Sequence, residues 1–251
     1  MKNSEIKEFY NSFLKSRMLE YRLSNGNERI NLASKFILNN IKENDKILEI
    51  GCGIGIVTER IAKKLTKGFI WACDISDQNI WYAKKTIHNK NIDFFVADIV
   101  EHFESVKERI NNKIDVFIFV DVLEHIPKEN HLALFNKLDL IASEDAKILL
   151  TFPSEYYQQY LIQNNPKELQ IIDEIISLND IIKLTEKNNF IVKYFELKDV
   201  WMNNQYVHCK VEKSKSLASL KIKTPNIFNR IILKILRYFR KRKYIYKLFK
   251  N

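Results

Sequence analysis

Apolar and polar residues follow two different periods along this chain of 251 residues. Five short runs are apolar at consecutive positions and rich in β-branched or aromatic side chains, as strands covered on both faces are. They predict strands at 46–51, 69–74, 93–98, 115–121 and 147–152. Between these runs, apolar residues recur at helical spacing and predict helices at 54–65, 77–88 and 128–142.

The alternation of strands and helices is typical of an α/β protein with a doubly wound, mostly parallel sheet. A helix predicted at 178–188 is followed by two strand-like runs, 190–197 and 205–212, which are close enough in sequence to pair antiparallel. We therefore expect a seven-stranded sheet with an antiparallel last strand. Two helices, at 4–23 and 27–42, are predicted before the sheet.

The charge pattern separates the end of the chain from the rest. Residues 213–251 hold 13 Lys or Arg and no acid, which leaves 28 bases against 31 acids in residues 1–212. The net charge of +10 therefore belongs to the tail. We predict a helical lid at 1–42, an α/β domain at 43–212 and a basic tail at 213–251.

Within the tail, residues 226–250 have the spacing of an amphipathic helix. One stripe is apolar and the opposite stripe is basic: Ile227, Phe228, Ile231, Ile232, Ile235, Leu236 and Phe239 against Arg230, Lys234, Arg237 and Lys241. Helices of this kind lie on anionic membrane surfaces. The alternatives are packing on the chain's own domain, docking on a partner protein, or nucleic-acid binding, which the segregated apolar stripe does not favour.

Composition narrows the setting of the protein. A hydrophobic fraction of 46% with 29% charged residues is that of a globular protein. The chain has no long uncharged stretch, so no membrane-spanning helix is predicted, and the first residues lack the apolar run of a signal peptide. The three cysteines are far apart and have no metal-ligand spacing. We expect a cytoplasmic protein whose tail contacts the inner face of the membrane.

Three of the chain's five glycines fall within residues 51–55, directly after the first predicted strand. Glycine allows the backbone to turn sharply and to approach a ligand closely. A strand that ends in such a loop before a helix is typical of a ligand site at the carboxyl edge of a parallel sheet. The dinucleotide pattern G-x-G-x-x-G requires glycine where Ile56 stands, and the P-loop sequence G-K-[ST] is absent.

Acidic residues at successive strand ends complete a different pattern. Glu49 stands two positions before the glycine loop, and Asp74 and Asp98 end the second and third strands. Asp121 opens the sequence "DVLEHIP" after the fourth strand. In this order the residues resemble the class I S-adenosylmethionine-dependent methyltransferases, over roughly residues 40–155. The resemblance implies a Rossmann-like fold and S-adenosyl-L-methionine as cofactor.

The resemblance also implies individual roles. Asp74 would accept hydrogen bonds from the two ribose hydroxyls, since a carboxylate offers two oxygens. Asp98 would accept from the adenine amino group and Ile99 would donate its N–H to the ring. The implied cofactor-binding set is Glu49, Gly51, Cys52, Gly53, Gly55, Asp74, Ile75, Asp98, Ile99, Val120 and Asp121. In the alternative interpretation, Asp74 and Asp98 only cap the next helices and Cys52 fills the loop.

Two histidines are candidate catalytic residues, because methyl transfer to a hydroxyl benefits from a general base. His125 is the first candidate, since it follows the fourth strand, where the reactive end of the cofactor lies in the family. His208 is the second, on one face of the last strand with Tyr206. Either histidine has a purely structural alternative. Asp121, Glu124 and His125 resemble a metal-binding E-x-x-E-H, but aspartate replaces the first glutamate, and no metal is predicted.

Residues 153–174 are rich in Tyr, Gln and acids and predict a cover over the substrate. Tyr10, Phe13, Arg17 and Tyr21 would face it from the lid, or would only pack the lid helices. Polar groups with aromatic platforms suit a hydroxyl-rich ligand. We predict an O-methyltransferase acting on a sugar or a lipid-linked glycan. The alternatives are a methyltransferase of a polyprenylated phenol or of RNA, and a cofactor-binding regulator without catalysis.

Overall fold

The computed structural model of the chain describes residues 3–13, 25–215 and 226–248. The chain divides into two compact units, Met1–Ser214 and Lys215–Asn251. The first unit contains the sheet. Of the expected lid residues, Arg17, Tyr21 and the side chain of Phe13 lie outside the described residues.

The first unit is built on a seven-stranded sheet with the strand order β3-β2-β1-β4-β5-β7-β6. The strands are β1 Lys46–Ile50, β2 Phe69–Asp74, β3 Ile92–Val96, β4 Ile114–Val120, β5 Ala142–Pro153, β6 Phe190–Lys198 and β7 Tyr206–Lys213. Strands β1 to β5 are parallel, and β7 is antiparallel to both β5 and β6. The fold class predicted from the sequence is therefore confirmed.

Helices connect the strands, and one helix lies in the second unit. They are α1 Asn3–Phe13, α2 Glu28–Asn40, α3 Ile56–Lys64, α4 Asp77–Thr86, α5 Phe103–Ile110, α6 Lys128–Ile141, α7 Glu155–Asn164, α8 Leu178–Glu186 and α9 Ile227–Leu248. Two short 3-10 turns, Leu123–His125 and Pro166–Glu168, follow β4 and α7. Within the described residues, no helix is long and apolar enough to cross a membrane.

Most bounds differ from the predicted ones by one or two residues, but three elements differ more. Helices α5 and α7 were not predicted, because α5 has only eight residues and α7 buries only Gln158 and Leu161. Strand β5 begins at Ala142, five residues earlier than predicted, because Ala142 pairs with Ile114 across an irregularity in the register.

The parallel strands are apolar on both faces because helices cover both sides of the sheet. Leu48 and Phe117 belong to the buried cluster on one face of the sheet, and Ile47 and Val116 belong to a second cluster on the other face. Since neighbouring residues of a strand point to opposite faces, each strand contributes to both layers. The helices pack these layers and leave the carboxyl ends of the strands at one edge of the sheet.

His208 of β7 is part of this packing. The residue is 4% exposed, and its ring stacks on Phe36 of α2 with ring centroids 4.9 Å apart. Burial, and after it the charge of Lys198, lower the pKa of His208 to about 4. The folded protein therefore holds His208 in its neutral form.

We expect this buried imidazole to make the fold sensitive to acid. The unfolded chain takes up a proton near the ordinary pKa of 6.5 and the folded chain only near 4, so stability falls as the pH drops from about 6.5 toward 4. His208→Phe keeps an aromatic ring at this position but removes the imidazole that takes up the proton. Denaturant unfolding at pH 7 and pH 5 should show a smaller loss of stability for this variant than for the wild type. Exposed His88→Gln is the control, and an equal loss in all three proteins would contradict the account.

Candidate active site

The loop Gly51–Gly55 carries the chain from β1 into α3. Gly51, Gly53 and Gly55 all have positive φ angles, of 72°, 55° and 79°. A Cβ atom at Gly51 would lie 2.3 Å from Cγ2 of Val122, and one at Gly55 would lie 2.6 Å from Cδ1 of Ile87. Backbone conformation and crowding therefore both require glycine at these two positions.

Asp74, the last residue of β2, ties the glycine loop to the neighbouring strand end. The amide of Gly53 donates to Oδ2 of Asp74 at 2.8 Å, and the amide of Ser76 donates to Oδ1 at 2.8 Å. The N-cap of α4 is Ser76, whose hydroxyl accepts from the amide of Asn79. Asp74 is therefore not the helix cap itself. Burial raises the pKa of its carboxyl group, and these hydrogen bonds oppose that rise.

Glu49 and Cys52 lie buried beside the loop. The hydroxyl of Thr58 donates to Oε2 of Glu49 at 2.6 Å, and burial raises the pKa of Glu49 to about 8. Burial also raises the pKa of the Cys52 thiol, so this side chain is a neutral thiol at physiological pH. Cys52 therefore fills space in the loop.

The end of β3 supplies another carboxylate. Oδ1 of Asp98 accepts from the amide of Val100 at 2.8 Å, and the N-cap position of α5 is His102. Ile99, which follows Asp98, is buried, and Ile75, which follows Asp74, is half-buried. Asp74 ends β2 and Asp98 follows β3, so both lie at the carboxyl ends of neighbouring parallel strands, at the same edge of the sheet.

The end of β4 is held in an unusual conformation. Asp121, directly after Val120, has a φ of 54°, a left-handed conformation that costs most non-glycine residues free energy and that aspartate tolerates better than most. Its amide donates to the carbonyl of Thr151 and its Oδ1 accepts from the Thr151 hydroxyl, both at 2.9 Å. Its Oδ2 forms an ion pair with Arg29 of α2, and the guanidinium of Arg29 also lies 5.5 Å from the ring centroid of Tyr206.

His125 ends the 3-10 turn that follows Asp121. This turn is fixed by buried His131 of α6, whose Nε2 lies 3.0 Å from the carbonyl oxygen of Leu123 and 2.8 Å from that of Ile126. Nδ1 of His125 lies 2.7 Å from the carbonyl oxygen of Ile172. Burial lowers the pKa of His125, so its ring is neutral near pH 7.

Unpaired polar atoms surround this turn. Glu124 is 1% exposed, and within the described residues neither of its carboxyl oxygens has a hydrogen-bond partner. Burial raises its pKa to about 8. The buried hydroxyl of Tyr10 likewise has no partner among the described residues, and its ring lies 6.2 Å from that of His125. A ligand that both donates and accepts hydrogen bonds would satisfy these atoms.

Helix α1 brings Tyr10 to this place. Lys7 forms an ion pair with Asp77 at 2.9 Å, and the hydroxyl of Ser76 donates to the side-chain oxygen of Asn11 at 2.6 Å. Both partners lie at the start of α4, next to the end of β2. The described part of the expected lid therefore docks beside the glycine loop.

The structure brings most of the predicted residues to one edge of the sheet, and it adds two that the sequence did not reveal. Arg29 pairs with Asp121, and Asp173 lies 3.4 Å from Nδ1 of His125. Across the described ranges, no group of three or more His, Cys, Asp or Glu side chains is placed to hold a metal ion. Asp121 instead forms an ion pair with Arg29 and accepts a hydrogen bond from Thr151.

Comparison with known proteins identifies the domain. Residues 47–141 match the protein family described as a methyltransferase domain. The matched residues include the glycine loop, Asp74, Asp98 and the turn with His125. The chain contains a class I methyltransferase domain. S-adenosyl-L-methionine, the cofactor of this class, is therefore also the cofactor of this domain, and the class predicted from the sequence is confirmed.

Relatives of the methyltransferase domain act on different acceptors. The chain is 32% identical over 144 residues to malonyl-[acyl-carrier protein] O-methyltransferase 2 of Ilyobacter polytropus, covering 56% of this chain and 52% of that protein. It is 29% identical over 181 residues to the ubiquinone/menaquinone biosynthesis C-methyltransferase UbiE of Wigglesworthia glossinidia brevipalpis, covering 68% and 71%. The alignments with the first curated relatives span only 37% to 53% of their length.

A solved structure shares the fold of the methyltransferase domain. Magnesium protoporphyrin IX methyltransferase from Synechocystis PCC 6803, crystallised with bound S-adenosylhomocysteine, superposes with a TM-score of 0.64 at 15% identity. The match covers 84% of this chain and 99% of that one. At this identity the likeness supports the fold and leaves the acceptor open.

The contacts of Asp74 lead to a first prediction for the site. Asp74→Asn keeps the shape of the side chain but replaces one carboxylate oxygen with an NH2 group. This group cannot accept the hydrogen bond that the amide of Gly53 or Ser76 donates to Asp74. We expect S-adenosylhomocysteine to bind roughly 10- to 100-fold more weakly in a calorimetric titration, as for a lost hydrogen bond to a charged group. The control is Asp93→Asn in β3 of the same sheet, which loses only a surface ion pair with Arg109. This variant should bind the ligand like the wild type. Equal affinities of all three proteins would contradict the assignment.

Proposed function

We propose that the protein transfers a methyl group from S-adenosyl-L-methionine to a hydroxyl group of a polar small molecule, either a sugar or a lipid-linked glycan. The observation that carries this proposal is the position of His125. Its unprotonated ring nitrogen lies in a turn at the same sheet edge as the glycine loop and Asp74. O-methylation needs a group of this kind to take up the hydroxyl proton.

The residues at the strand ends fit the cofactor. Oδ2 of Asp74 has one hydrogen bond, from Gly53, and keeps acceptor capacity for a ribose hydroxyl. Asp98 would hold the adenine amino group, and Glu49 with the backbone of Val120 and Asp121 would receive the ammonium group. When bound, the cofactor supplies a methyl group on a positively charged sulfur, and the acidic surroundings suit its charge.

His125 would act at Nε2. Its Nδ1 lies 2.7 Å from a carbonyl oxygen, which can only accept, so Nδ1 carries the ring proton. Nε2 therefore has a free lone pair for the proton of the acceptor hydroxyl. His208 remains the second candidate base, and its stacking on Phe36 favours His125 over it.

The segment after β5 supports a hydroxyl-rich acceptor. Helix α7 carries Tyr157, whose ring centroid lies 5.8 Å from that of Tyr206. Among the described residues, the side-chain oxygens of Gln158 and Gln170 are buried without a hydrogen-bond partner. Both are acceptors, and a polyol donates to such atoms. A polyprenylated phenol, RNA, and a regulatory role without catalysis are the competing functions.

Substitution of His125 tests the catalytic role. His125→Gln should lower methyl transfer about 100-fold or more, because no base takes up the hydroxyl proton, and should leave the affinity for S-adenosylhomocysteine unchanged. Transfer is measured with labelled cofactor and fractionated cell extract, which also reveals the acceptor fraction. His88→Gln serves as the control. Wild-type turnover in the His125 variant would overturn the assignment, and no transfer to any fraction by the wild type would favour the regulator.

We further propose that helix α9 binds an anionic membrane surface. With 22 residues, α9 is about 33 Å long. Its apolar stripe is continuous from Ile227 to Phe239, and Arg230, Lys234 and Arg237 lie on the opposite side. No acid stands in residues 213–251 to oppose binding to anionic lipid. Each base near such a surface contributes roughly 1 kcal/mol.

Vesicle co-sedimentation of the full chain tests this second proposal. The probe is vesicles of phosphatidylcholine with or without phosphatidylglycerol. Four charge reversals in α9 should weaken binding to the anionic vesicles about 100-fold or more: Arg230→Glu, Lys234→Glu, Arg237→Glu and Lys241→Glu. The control reverses four exposed lysines of the first unit: Lys63, Lys84, Lys85 and Lys90.

A further variant separates a membrane from nucleic acid. Ile231→Ser with Ile235→Ser keeps every charge of α9 but interrupts its apolar stripe. Loss of vesicle binding in this variant supports the membrane proposal, because insertion of the apolar face is then required. Unchanged vesicle binding in both α9 variants would contradict it.

A further inference from the structure

Asp173 lies at the centre of the contacts that hold the segment after α7. Its Oδ1 lies 3.3 Å from the side-chain nitrogen of Gln158 and 3.4 Å from Nδ1 of His125. Its Oδ2 accepts from the amide of Gln170 at 2.7 Å. One carboxylate therefore joins helix α7, the segment that follows it, and the 3-10 turn after β4.

The neighbouring residue completes the arrangement around His125. The carbonyl oxygen of Ile172 lies 2.7 Å from Nδ1, so both groups on this side of the ring favour a proton on Nδ1. On the other side, Nε2 lies 3.8 Å from Oε1 of Glu124, beyond hydrogen-bond distance. Among the described residues, the hydrogen-bond partners of the ring thus lie on the Nδ1 side.

The other groups around His125 do not supply the same support. Arg29 is positively charged and disfavours a proton on the ring, whereas Asp173 favours it. Tyr10 contributes a tilted ring with a centroid distance of 6.2 Å. Glu124, the other carboxyl group near the ring, is mostly uncharged near pH 7 because burial raises its pKa to about 8. Asp173 is therefore the carboxylate placed to stabilise the imidazolium that forms when Nε2 takes up a proton.

We propose that Asp173 is a positioning residue that, together with the carbonyl of Ile172, holds His125 as the Nδ1–H tautomer with Nε2 free to act as the base. This inference rests on the proposed function, since it explains how His125 would be kept ready for an acceptor hydroxyl. In the proton transfer, the acceptor O–H bond breaks, an Nε2–H bond forms, and the oxygen keeps the electron pair. A carboxylate that orients histidine in this way also stabilises the resulting charge.

The segment after α7 does more than the sequence predicts. From the sequence, residues 153–174 are only a cover over the substrate. In the structure, Ile172 and Asp173 of this segment touch the candidate base directly. The amide of Glu174 donates to the carbonyl of Glu124 at 2.8 Å and attaches the segment to the same turn. The segment is thus part of the catalytic apparatus.

Nitrogen NMR of histidine-labelled full-length protein tests the proposal without any acceptor. The signals of His125 are assigned by their loss in His125→Gln, and the ring tautomer is read from its two ¹⁵N resonances near pH 7. The wild type should show the Nδ1–H form. Asp173→Asn and Asp173→Ala should shift the population toward the Nε2–H form, because the segment that carries Ile172 loses its anchor.

A matched control separates positioning from stability. Asp180→Asn removes a carboxylate from the capping box of α8, close in sequence to Asp173. It should lower thermal stability to a similar extent while the tautomer of His125 stays as in the wild type. If both Asp173 variants keep the Nδ1–H tautomer, the proposal is wrong.

The transfer assay completes the test. Both Asp173 variants should lose methyl transfer about 10-fold or more and keep the wild-type affinity for S-adenosylhomocysteine. Unchanged transfer despite a changed tautomer would also overturn the proposal. If the wild type transfers no methyl group, the proposed function fails, and the NMR result still decides whether Asp173 sets the tautomer.

Discussion

The hydrogen bond from the Gly53 amide to the Asp74 carboxylate joins the ends of the first two strands, and the site depends on it. The loop that makes this bond turns with positive φ at Gly51, Gly53 and Gly55, a conformation that glycine adopts without steric cost. Parallel strands place their carboxyl ends at one edge, so the same sheet that buries the core also gathers Asp98, Asp121 and His125 there. Packing and ligand binding thus share one set of constraints.

Burial gives this edge of the sheet its electrostatic character. Glu49, Asp74 and Glu124 are buried carboxyl groups, and burial raises the pKa of each. A buried carboxyl group destabilises a fold unless a positively charged or hydrogen-bond-donating partner reaches it, and among the described residues Glu124 has no hydrogen-bond donor. A sulfonium nucleoside with an ammonium group is such a partner, and this is why the acidic edge and the methyltransferase class are consistent with each other.

The strands could be predicted from the sequence because buried parallel strands have an unmistakable composition, and the glycine loop because it combines a rare residue with a strand end. Helix α7 could not, since its buried residues include a glutamine and give no apolar stripe. The contact of His125 with Ile172 joins residues 47 positions apart, and the pairing of Arg29 with Asp121 likewise depends on how the helices cross the sheet. Contacts between residues so far apart in sequence leave no local pattern, so the contact of Asp173 with His125 could not be predicted from the sequence.

The most direct test of the account is a crystal structure of the full chain grown with S-adenosylhomocysteine. The account predicts density for the nucleoside along Gly51–Gly55, with both ribose hydroxyls on Asp74 and the adenine beside Asp98. Well-ordered crystals in which that loop stays empty at saturating ligand, or in which the nucleoside binds elsewhere, would contradict it.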